Sequence, residues 1–394
     1  MSGPRISVVI TTYNRPTLMC EAIASVLAQT MRDFELIVVD DGSTDNTRET
    51  VQSFGDKRIV YIHQENRGLA EARNTGIRAS KGEWVAFLDD DDLFLPDKLE
   101  CQAQLIEQQP DVGMVTGGVL YIDQEGKTWE ALEPWKFGRG LNQIETWLFD
   151  IPSVPSAVMV KREWFDRAGY FDAGLPGIED GDMWLRLVGA GCRIGCVKSM
   201  ICAYRLHATN MTRKTVEMKK GLVEVLDKFF ADKEREAAFG AIRNKVYANA
   251  YLKGAGMEYA GGELQEACLD LGKAFALDPA LLDRARAQTL ENLSGMASSR
   301  RFALDPVAYL NTVFANLPEN AQALLLYKKK VQAEALLMRA FNIYRYAPHA
   351  YPQIRTLVLR AFWADPTRLS NIGAWSIWLR SLFLSRGEGN YARR

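Results

Sequence analysis

Short runs of consecutive apolar residues alternate with helical patterns through the first part of the chain. Four of these runs have the composition of strands: Ile6–Thr12, Phe34–Asp40, Ile59–His63 and Trp84–Asp89. Between the first two, residues 17–29 carry apolar side chains at helical spacing. Strands that are apolar throughout are expected where helices cover both faces of a sheet. The pattern therefore predicts a mostly parallel α/β sheet with right-handed crossovers.

The pattern changes after residue 215, where strand signals stop and helical spacing continues. An element that ends in Asp-Pro recurs in this part, at Ala274–Pro279, Arg301–Pro306 and Ala361–Pro366. It resembles the second helix of a tetratricopeptide unit, with Pro marking the end, but the intervals of 27 and 60 residues do not match one fixed period. We expect a degenerate array of helical hairpins. The predicted organisation is an α/β domain over 1–215, a helical linker over 216–245 and an all-α domain over 246–394.

The composition is that of an ordinary globular protein, with 47% hydrophobic and 25% charged residues. A net charge of −1 lacks the basic excess that favours nucleic acid, so we expect no nucleic-acid partner. The N-terminus enters the first strand pattern without an apolar leader, and the six cysteines are scattered. We expect reduced thiols and a cytoplasmic protein. A zinc site at Cys192, Cys196, Cys202 and His207 has no common ligand spacing and is disfavoured.

Four consecutive aspartates, Asp89 to Asp92, follow the fourth predicted strand. Like charges this close repel each other, and a cation or a cluster of donors can offset the repulsion. Carboxylate oxygens suit a hard divalent ion, Mg²⁺ or Mn²⁺, shared with a ligand's phosphates. The alternative is a solvated acidic loop that binds nothing.

Polar residues also follow the first two strands, in Thr11–Arg15 and Asp40–Thr47. Ligands of open α/β sheets gather outside the carboxyl ends of the strands. Gly42 permits a tight turn, and Ser43 or Thr44 is a candidate N-cap for the next helix. A carboxylate at this depth can accept an N–H from a planar ligand while Tyr13 covers the ring, which suits a pyrimidine.

Several ordered motifs resemble the inverting glycosyltransferases of family 2, which have a nucleotide-sugar-binding GT-A type fold. The resemblance covers residues 5–215. The motifs that carry it are Val8–Asn14, Val38–Asp45, Asn66–Gly76, Phe87–Asp92, Glu179–Asp180 with Trp184–Arg186, and Tyr204–Thr212.

The resemblance implies roles for individual residues. It makes Thr11, Tyr13 and Asp41 the nucleobase contacts, with Asp40 beside them. Arg73 would lie near the nucleotide, where a guanidinium pairs with phosphate or supports the base-binding carboxylate; the alternative is a surface arginine.

Asp89, Asp90 and Asp91 match the family's Asp-X-Asp position. Asp91 would contact the metal directly, and Asp89 would act on the ribose or through water. Asp92 leaves the register ambiguous by one residue. His207 coincides with a family position near the diphosphate and metal, although a lone histidine is more often structural.

Asp180 matches the family's general base, which would take the proton of the attacking hydroxyl. The alternative for Glu179, Asp180 and Asp182 is that all three are acids at a helix N-terminus. The resemblance implies a metal-dependent transfer of a sugar from a nucleotide donor, most simply a UDP-sugar, to a hydroxyl of a glycan, lipid-linked glycan or protein.

Two other functions stay open on the residues alone. A sugar nucleotidyltransferase also needs a nucleotide-binding α/β domain, but no Gly-rich basic turn follows the first strand. A non-catalytic scaffold would work through the helical half. The apolar segment 371–385 has two interpretations: contact with the inner face of a membrane, or packing on the helical domain or on a second copy.

Overall fold

The computed structural model describes residues 4–175, 177–207, 210–211, 214–283 and 286–384, without the side chains of 283 and 286–288. The chain forms two compact units. The first runs up to Tyr121 and includes Ala131–Arg205. The second consists of Ile122–Glu130 and the residues from Leu206 onward. The predicted boundaries at 215 and 245 stay predictions.

A single sheet dominates the first unit. Within the described residues it has nine strands: β1 Ile6–Thr12, β2 Phe34–Asp40, β3 Ile59–His63, β4 Trp84–Asp89, β5 Leu93–Phe94, β6 Val112–Ile122, β7 Thr128–Leu132, β8 Met159–Lys161 and β9 Arg193–Arg205. Eight of the strands follow the order β3-β2-β1-β4-β8-β6-β9-β5, and β7 pairs with β6 outside this order. Strands β1 to β4 have the predicted bounds.

The strands β1 to β4 pair in parallel, as predicted. Beyond β4 the sheet is mixed, since β8 is antiparallel to both β4 and β6, and β5 is antiparallel to β9. All residues of β1 and β2 are buried, because helices cover both faces of the sheet. The predicted α/β fold class is confirmed, and the sheet combines the parallel pairs of β1 to β4 with antiparallel pairs.

Helices of the first unit surround this sheet: α1 Pro16–Leu27, α2 Thr47–Ser53, α3 Leu69–Ala79, α4 Lys98–Gln108, α5 Ile144–Phe149, α6 Glu163–Ala168 and α7 Glu179–Gly189. One aromatic cluster anchors α7 to the sheet. The Phe87 ring of β4 lies 5.4 Å from the ring of Phe171 and 6.3 Å from that of Trp184 on α7. Trp184 is fully buried, so this contact helps to hold α7 against the sheet.

From Leu206 onward the described residues of the second unit are mainly helical, as predicted. Its helices are α8 Thr215–Ala231, α9 Lys233–Phe239, α10 Arg243–Gly261, α11 Leu264–Leu277, α12 Ala280–Asp283, α13 Arg286–Ser298, α14 Pro306–Ala315, α15 Lys328–Tyr346, α16 Tyr351–Ala364 and α17 Ile372–Leu384. Among the described residues, none of these helices is both long and apolar enough to cross a membrane.

The recurring Asp-Pro element begins a helical segment in each of its three copies. Asp278, Asp305 and Asp365 each accept a hydrogen bond from the backbone N–H two residues further on. An aspartate cap followed by proline is the usual start of a helix, since proline lacks the N–H that would have no partner there. The proline therefore opens the next helical segment in this protein.

Candidate active site

The carboxyl ends of the parallel strands bring the predicted polar residues to one edge of the sheet. In the strand register Thr11 lies opposite Asp89, and Thr12 lies opposite Asp40. Asp40 in turn lies opposite His63 of β3. Residues from distant parts of the sequence therefore form one group at the position predicted for a ligand.

Asp40 is buried and holds the turn that follows β2. Its carboxylate accepts hydrogen bonds from the backbone N–H of Ser43 at 2.8 Å and from the Tyr61 hydroxyl at 2.5 Å. His63 Nδ1 lies 3.3 Å away. Burial alone would raise the pKa of Asp40, but these donors, with Tyr61 foremost, lower it below its usual value. In this structure Asp40 shapes the edge of the site, and its predicted place beside the nucleobase stays a prediction.

Asp41 accepts hydrogen bonds from the segment that precedes α3. Gln64 Nε2 lies 2.7 Å from Oδ1, the Arg67 N–H lies 2.9 Å from Oδ1, and the Gly68 N–H lies 2.8 Å from Oδ2. The Tyr13 side chain is 48% exposed at the same edge of the sheet, so its ring is open to a planar ligand.

Two hydrogen bonds join the turn after β2 to the residues that follow β1. Ser43 Oγ accepts the Asn14 N–H at 2.9 Å, and Asn14 Oδ1 accepts the Thr44 N–H at 2.9 Å. The predicted N-cap role of Ser43 or Thr44 is wrong, because α2 begins only at Thr47. Gly42 has the predicted turn conformation, with φ of +88°.

The four aspartates after β4 have different surroundings. Asp90 is buried and accepts the Thr12 hydroxyl at 2.8 Å. Asp92 is buried and accepts the Ser156 hydroxyl at 2.5 Å and the Arg205 N–H at 3.0 Å. Burial, and then repulsion from Asp91, raise the pKa of Asp90 to about 7. The same causes raise the pKa of Asp92 well above its usual value.

The Arg15 guanidinium bridges two of these carboxylates. Arg15 Nη1 lies 2.9 Å from Asp91 Oδ2 and 3.3 Å from Asp90 Oδ1. The residues thus fit a positive ion, and their oxygen atoms suit Mg²⁺ or Mn²⁺. Among the described residues no three His, Cys, Asp or Glu side chains converge on one point. A metal here would therefore depend on one or two carboxylates together with phosphate oxygens of a ligand, as Mg²⁺ often does.

Arg73 is buried and ion-paired on both sides. Its Nη2 lies 2.6 Å from Asp89 Oδ1, and its Nη1 lies 2.6 Å from Glu179 Oε1. Its guanidinium also lies over the Phe171 ring. Burial alone would lower the pKa of Arg73, but the charges of Asp89 and Glu179 outweigh it and keep the pKa above its usual value. The alternative of a surface arginine is wrong, since Arg73 is 2% exposed.

Asp180 lies in the first turn of α7, next to Glu179. It is half-buried, and its Oδ1 accepts the Gly181 N–H at 2.7 Å. Burial, followed by repulsion from the Glu179 carboxylate, raises the pKa of Asp180 to about 7. A carboxylate with such a pKa can accept a proton near neutral pH. Asp182 instead pairs with Arg186 on its own helix.

His207 belongs to the second unit. Its backbone N–H donates to Asn210 Oδ1 at 2.5 Å, and the residue is buried. Its predicted role at a metal stays a prediction. Of the motif Tyr204–Thr212, residues 208, 209 and 212 lie outside the described residues.

Sequence reasoning gave no role to several residues that contact the predicted ones, among them Arg15, Tyr61 and Gln64. Gln64 follows β3 directly, so the rule that assigns strand ends to the site could have found it. Arg15 lies three residues after β1 and could have been found in the same way. Tyr61 lies within a strand, and its contact with Asp40 depends on the pairing of β2 with β3.

The chain is similar to known proteins. Residues 7–169 match the family described as "Glycosyl transferase family 2". An uncharacterized glycosyltransferase of Methanocaldococcus jannaschii is 30% identical over 212 residues, which are 52% of this chain and 72% of that protein. An uncharacterized glycosyltransferase of Rickettsia felis is 32% identical over 219 residues, which are 54% of this chain and 36% of that protein.

The chain thus spans about a third of the length of the Rickettsia relative. Among solved structures, Staphylococcus aureus TarS aligns with 86% of this chain and 55% of its own, at 16% identity and a TM-score of 0.49. This degree of similarity does not indicate which ligand this chain binds or which reaction it catalyses.

Proposed function

This chain belongs to glycosyl transferase family 2, and we propose that it transfers a sugar from a nucleotide-sugar donor to a hydroxyl group with inversion at the anomeric carbon. One observation supports this most directly. A chain of contacts runs from Asp89 of the aspartate run through Arg73 to Glu179, the residue next to Asp180. One buried guanidinium thus joins the predicted donor-side carboxylate to the residue that precedes the predicted base.

The donor would be held at the edge of the parallel strands. The exposed Tyr13 ring would stack on the nucleobase, and Thr11 would lie beside it. Asp41 would accept an N–H of the base if the Gln64 amide moved aside, because Gln64 is the side-chain donor on that carboxylate. A pyrimidine with an N–H, as in a UDP-sugar, has the required donor.

The diphosphate would lie against the aspartate run. Asp91, with Asp89 and Asp90 beside it, would hold Mg²⁺ or Mn²⁺ together with phosphate oxygens, and His207 is a further candidate ligand. The metal would supply charge neutralisation for the departing nucleoside diphosphate. Arg15 forms ion pairs with Asp90 and Asp91 in this structure. If the metal replaced Arg15 on these carboxylates, the guanidinium could pair with the phosphates instead.

Asp180 would act as the base of a single displacement. The acceptor oxygen forms a bond to the anomeric carbon while the bond from that carbon to the diphosphate oxygen breaks. The hydroxyl proton passes to the Asp180 carboxylate, and the electron pair of the broken bond leaves with the diphosphate. The acceptor class is a glycan, a lipid-linked glycan or a protein.

A nucleotide panel tests this function. The purified chain is titrated with nucleotides and nucleotide sugars, with and without Mn²⁺, and followed by thermal shift and donor hydrolysis. We expect stabilisation by UDP or a UDP-sugar that requires Mn²⁺ and is lost in Asp91→Asn. The control Asp33→Asn removes an exposed carboxylate and should behave like the native protein. No response of a folded sample to any nucleotide would refute the proposal.

A further inference from the structure

Helix α17 exposes three bulky apolar residues. Ile372 is 83% exposed, Phe383 is 77% exposed and Leu379 is 50% exposed. On the packed side of the helix, Ala374, Ile377 and Ser381 are buried, and the rings of Trp375 and Trp378 lie against neighbouring side chains. A surface helix ordinarily presents polar residues on its outer side. An apolar phase over this face would remove its apolar side chains from water.

The neighbouring helices extend the exposed apolar surface. Trp363 of α16 is 90% exposed, and Leu359, one turn before it, is 50% exposed. Phe341 of α15 is 36% exposed and lies against Gly373, where an added Cβ would be 3.3 Å from its ring. We call the exposed apolar residues of these three packed helices the apolar end face: Phe341, Leu359, Trp363, Ile372, Leu379 and Phe383. Several exposed apolar residues on neighbouring helices are typical of an interaction site.

The charged residues of helices α16 and α17 are mostly arginines. Among the described residues 351–384 there are four arginines and one acidic residue, whereas the whole chain has a net charge of −1. Arg355 lies one helical turn before Leu359 on α16, and the exposed Arg380 follows Leu379 on α17. Because Arg360 pairs with Asp305, and Arg368 pairs with Glu334 and Asp365, Arg355 and Arg380 are the two arginines that we consider for contact with a charged partner.

We propose that the apolar end face docks on a membrane surface that contains anionic lipids. Tryptophan and phenylalanine side chains enter the boundary between headgroups and acyl chains, and arginines beside them meet the lipid phosphates. A symmetric contact with a second copy would bring the two sets of arginines together, so charge disfavours that occupant. The inference concerns the second unit alone and does not depend on the proposed transfer reaction.

Vesicle co-sedimentation of the whole 394-residue chain tests this docking. The vesicles are phosphatidylcholine alone or phosphatidylcholine mixed with phosphatidylglycerol. We expect binding to the anionic vesicles that weakens as salt rises, because screening reduces the attraction of arginine for the headgroups. The variant Trp363→Ser/Ile372→Ser/Phe383→Ser should bind at least about tenfold more weakly, since it loses three inserting side chains.

A matched control separates this effect from general surface change. Leu269→Ser replaces a 63% exposed leucine on α11 and should bind vesicles like the native protein. Arg355→Gln/Arg380→Gln should lose the preference for anionic vesicles while keeping its circular dichroism and Tm. The proposal is overturned if the native chain binds no vesicle, or if the triple variant binds as the native chain does. A native dimer that the triple variant converts to a monomer would assign the face to a second copy instead.

Discussion

Arg73 and Glu179 lie 106 positions apart in the sequence and form a buried ion pair, with Nη1 2.6 Å from Oε1. The other arm of the guanidinium holds Asp89 at 2.6 Å. Glu179 also accepts the Gly177 N–H through Oε2. The pair therefore determines how the start of α7, and with it Asp180, is held relative to the aspartate run.

Replacing Glu179 by Gln should alter the predicted base without removing it. The Glu179 carboxylate accepts hydrogen bonds from Arg73 and Gly177 through its two oxygens, whereas the glutamine amide has only one oxygen. Asp180 also loses the neighbouring negative charge that contributes to its raised pKa. We expect the acid limb of the pH profile of kcat to move to lower pH and kcat to fall by roughly 10- to 100-fold. Glu71→Gln is the control, because the half-buried Glu71 carboxylate pairs with the exposed Arg78 of its own helix. An unchanged pH profile would show that Glu179 does not influence the base.

Asp180→Asn should abolish sugar transfer and leave nucleotide binding intact. Loss of a general base lowers the rate by roughly 10²- to 10⁴-fold. In the native protein, transfer should decline as pH falls below about 7, because the base becomes protonated. Transfer assays and UDP-induced thermal shifts on the same samples measure both properties. Retention of native transfer by the variant would remove Asp180 from the mechanism.

Asp180 should also make stability depend on pH. Its pKa is about 7 in the folded protein and near 3.8 when unperturbed, so the folded state binds more protons between these values. Stability from this group is therefore lost as pH rises through about 7. Asp180→Asn should raise Tm relative to the native protein at pH 8 and change it little below pH 4. A Tm difference that does not vary with pH would contradict this assignment.

Arg15→Gln should expose the repulsion within the aspartate run. Without the guanidinium, Asp90 and Asp91 lose a shared cation, which we expect to cost roughly 1–3 kcal/mol of unfolding free energy without metal. Mn²⁺ with UDP should then raise Tm more in the variant than in the native protein. In the variant, the metal would be needed to neutralise the carboxylates that Arg15 neutralises in the native protein. Arg32→Gln, at an exposed position, is the control. Equal shifts in both proteins would mean that Arg15 and the metal do not share these carboxylates.

Lys98 is a fully buried amine that the proposed mechanism does not use. Its Nζ donates to Gln102 Oε1 at 2.7 Å and lies over the Phe94 ring. Burial lowers the pKa of Lys98 to about 7 from 10.5. The unfolded chain thus binds more protons between these values, and this group favours folding more as pH rises from about 7 to 10.5.

Lys98→Met should therefore stabilise the protein most at low pH. Its advantage over the native protein should shrink by up to about 1.4 kcal/mol per pH unit as pH rises above 7. Chemical denaturation at several pH values measures the difference, and Lys81→Met, at an exposed position, is the control. An advantage that is constant from pH 7 to 10 would contradict the lowered pKa.

The strands of the parallel half were predictable because their signal is local. Buried parallel strands need apolar residues on both faces, so β1 to β4 stand out as near-continuous apolar runs. The antiparallel strands β5 and β8 have only two and three residues, too few to show a period. Their pairing depends on strands that are distant in the sequence, since β8 pairs with β4 and β6, and β5 pairs with β9.

Residues close together in the chain are enough to predict the strand ends that hold the candidate site and the family to which the motifs belong, because both signals are local. The folded chain is needed to show which carboxylates have internal partners, that Arg73 bridges Asp89 and Glu179, and that Lys98 is buried. These properties depend on contacts such as that of Trp184 with Phe87, between residues far apart in the sequence. Charge compensation and desolvation act through space, so only the folded chain determines them.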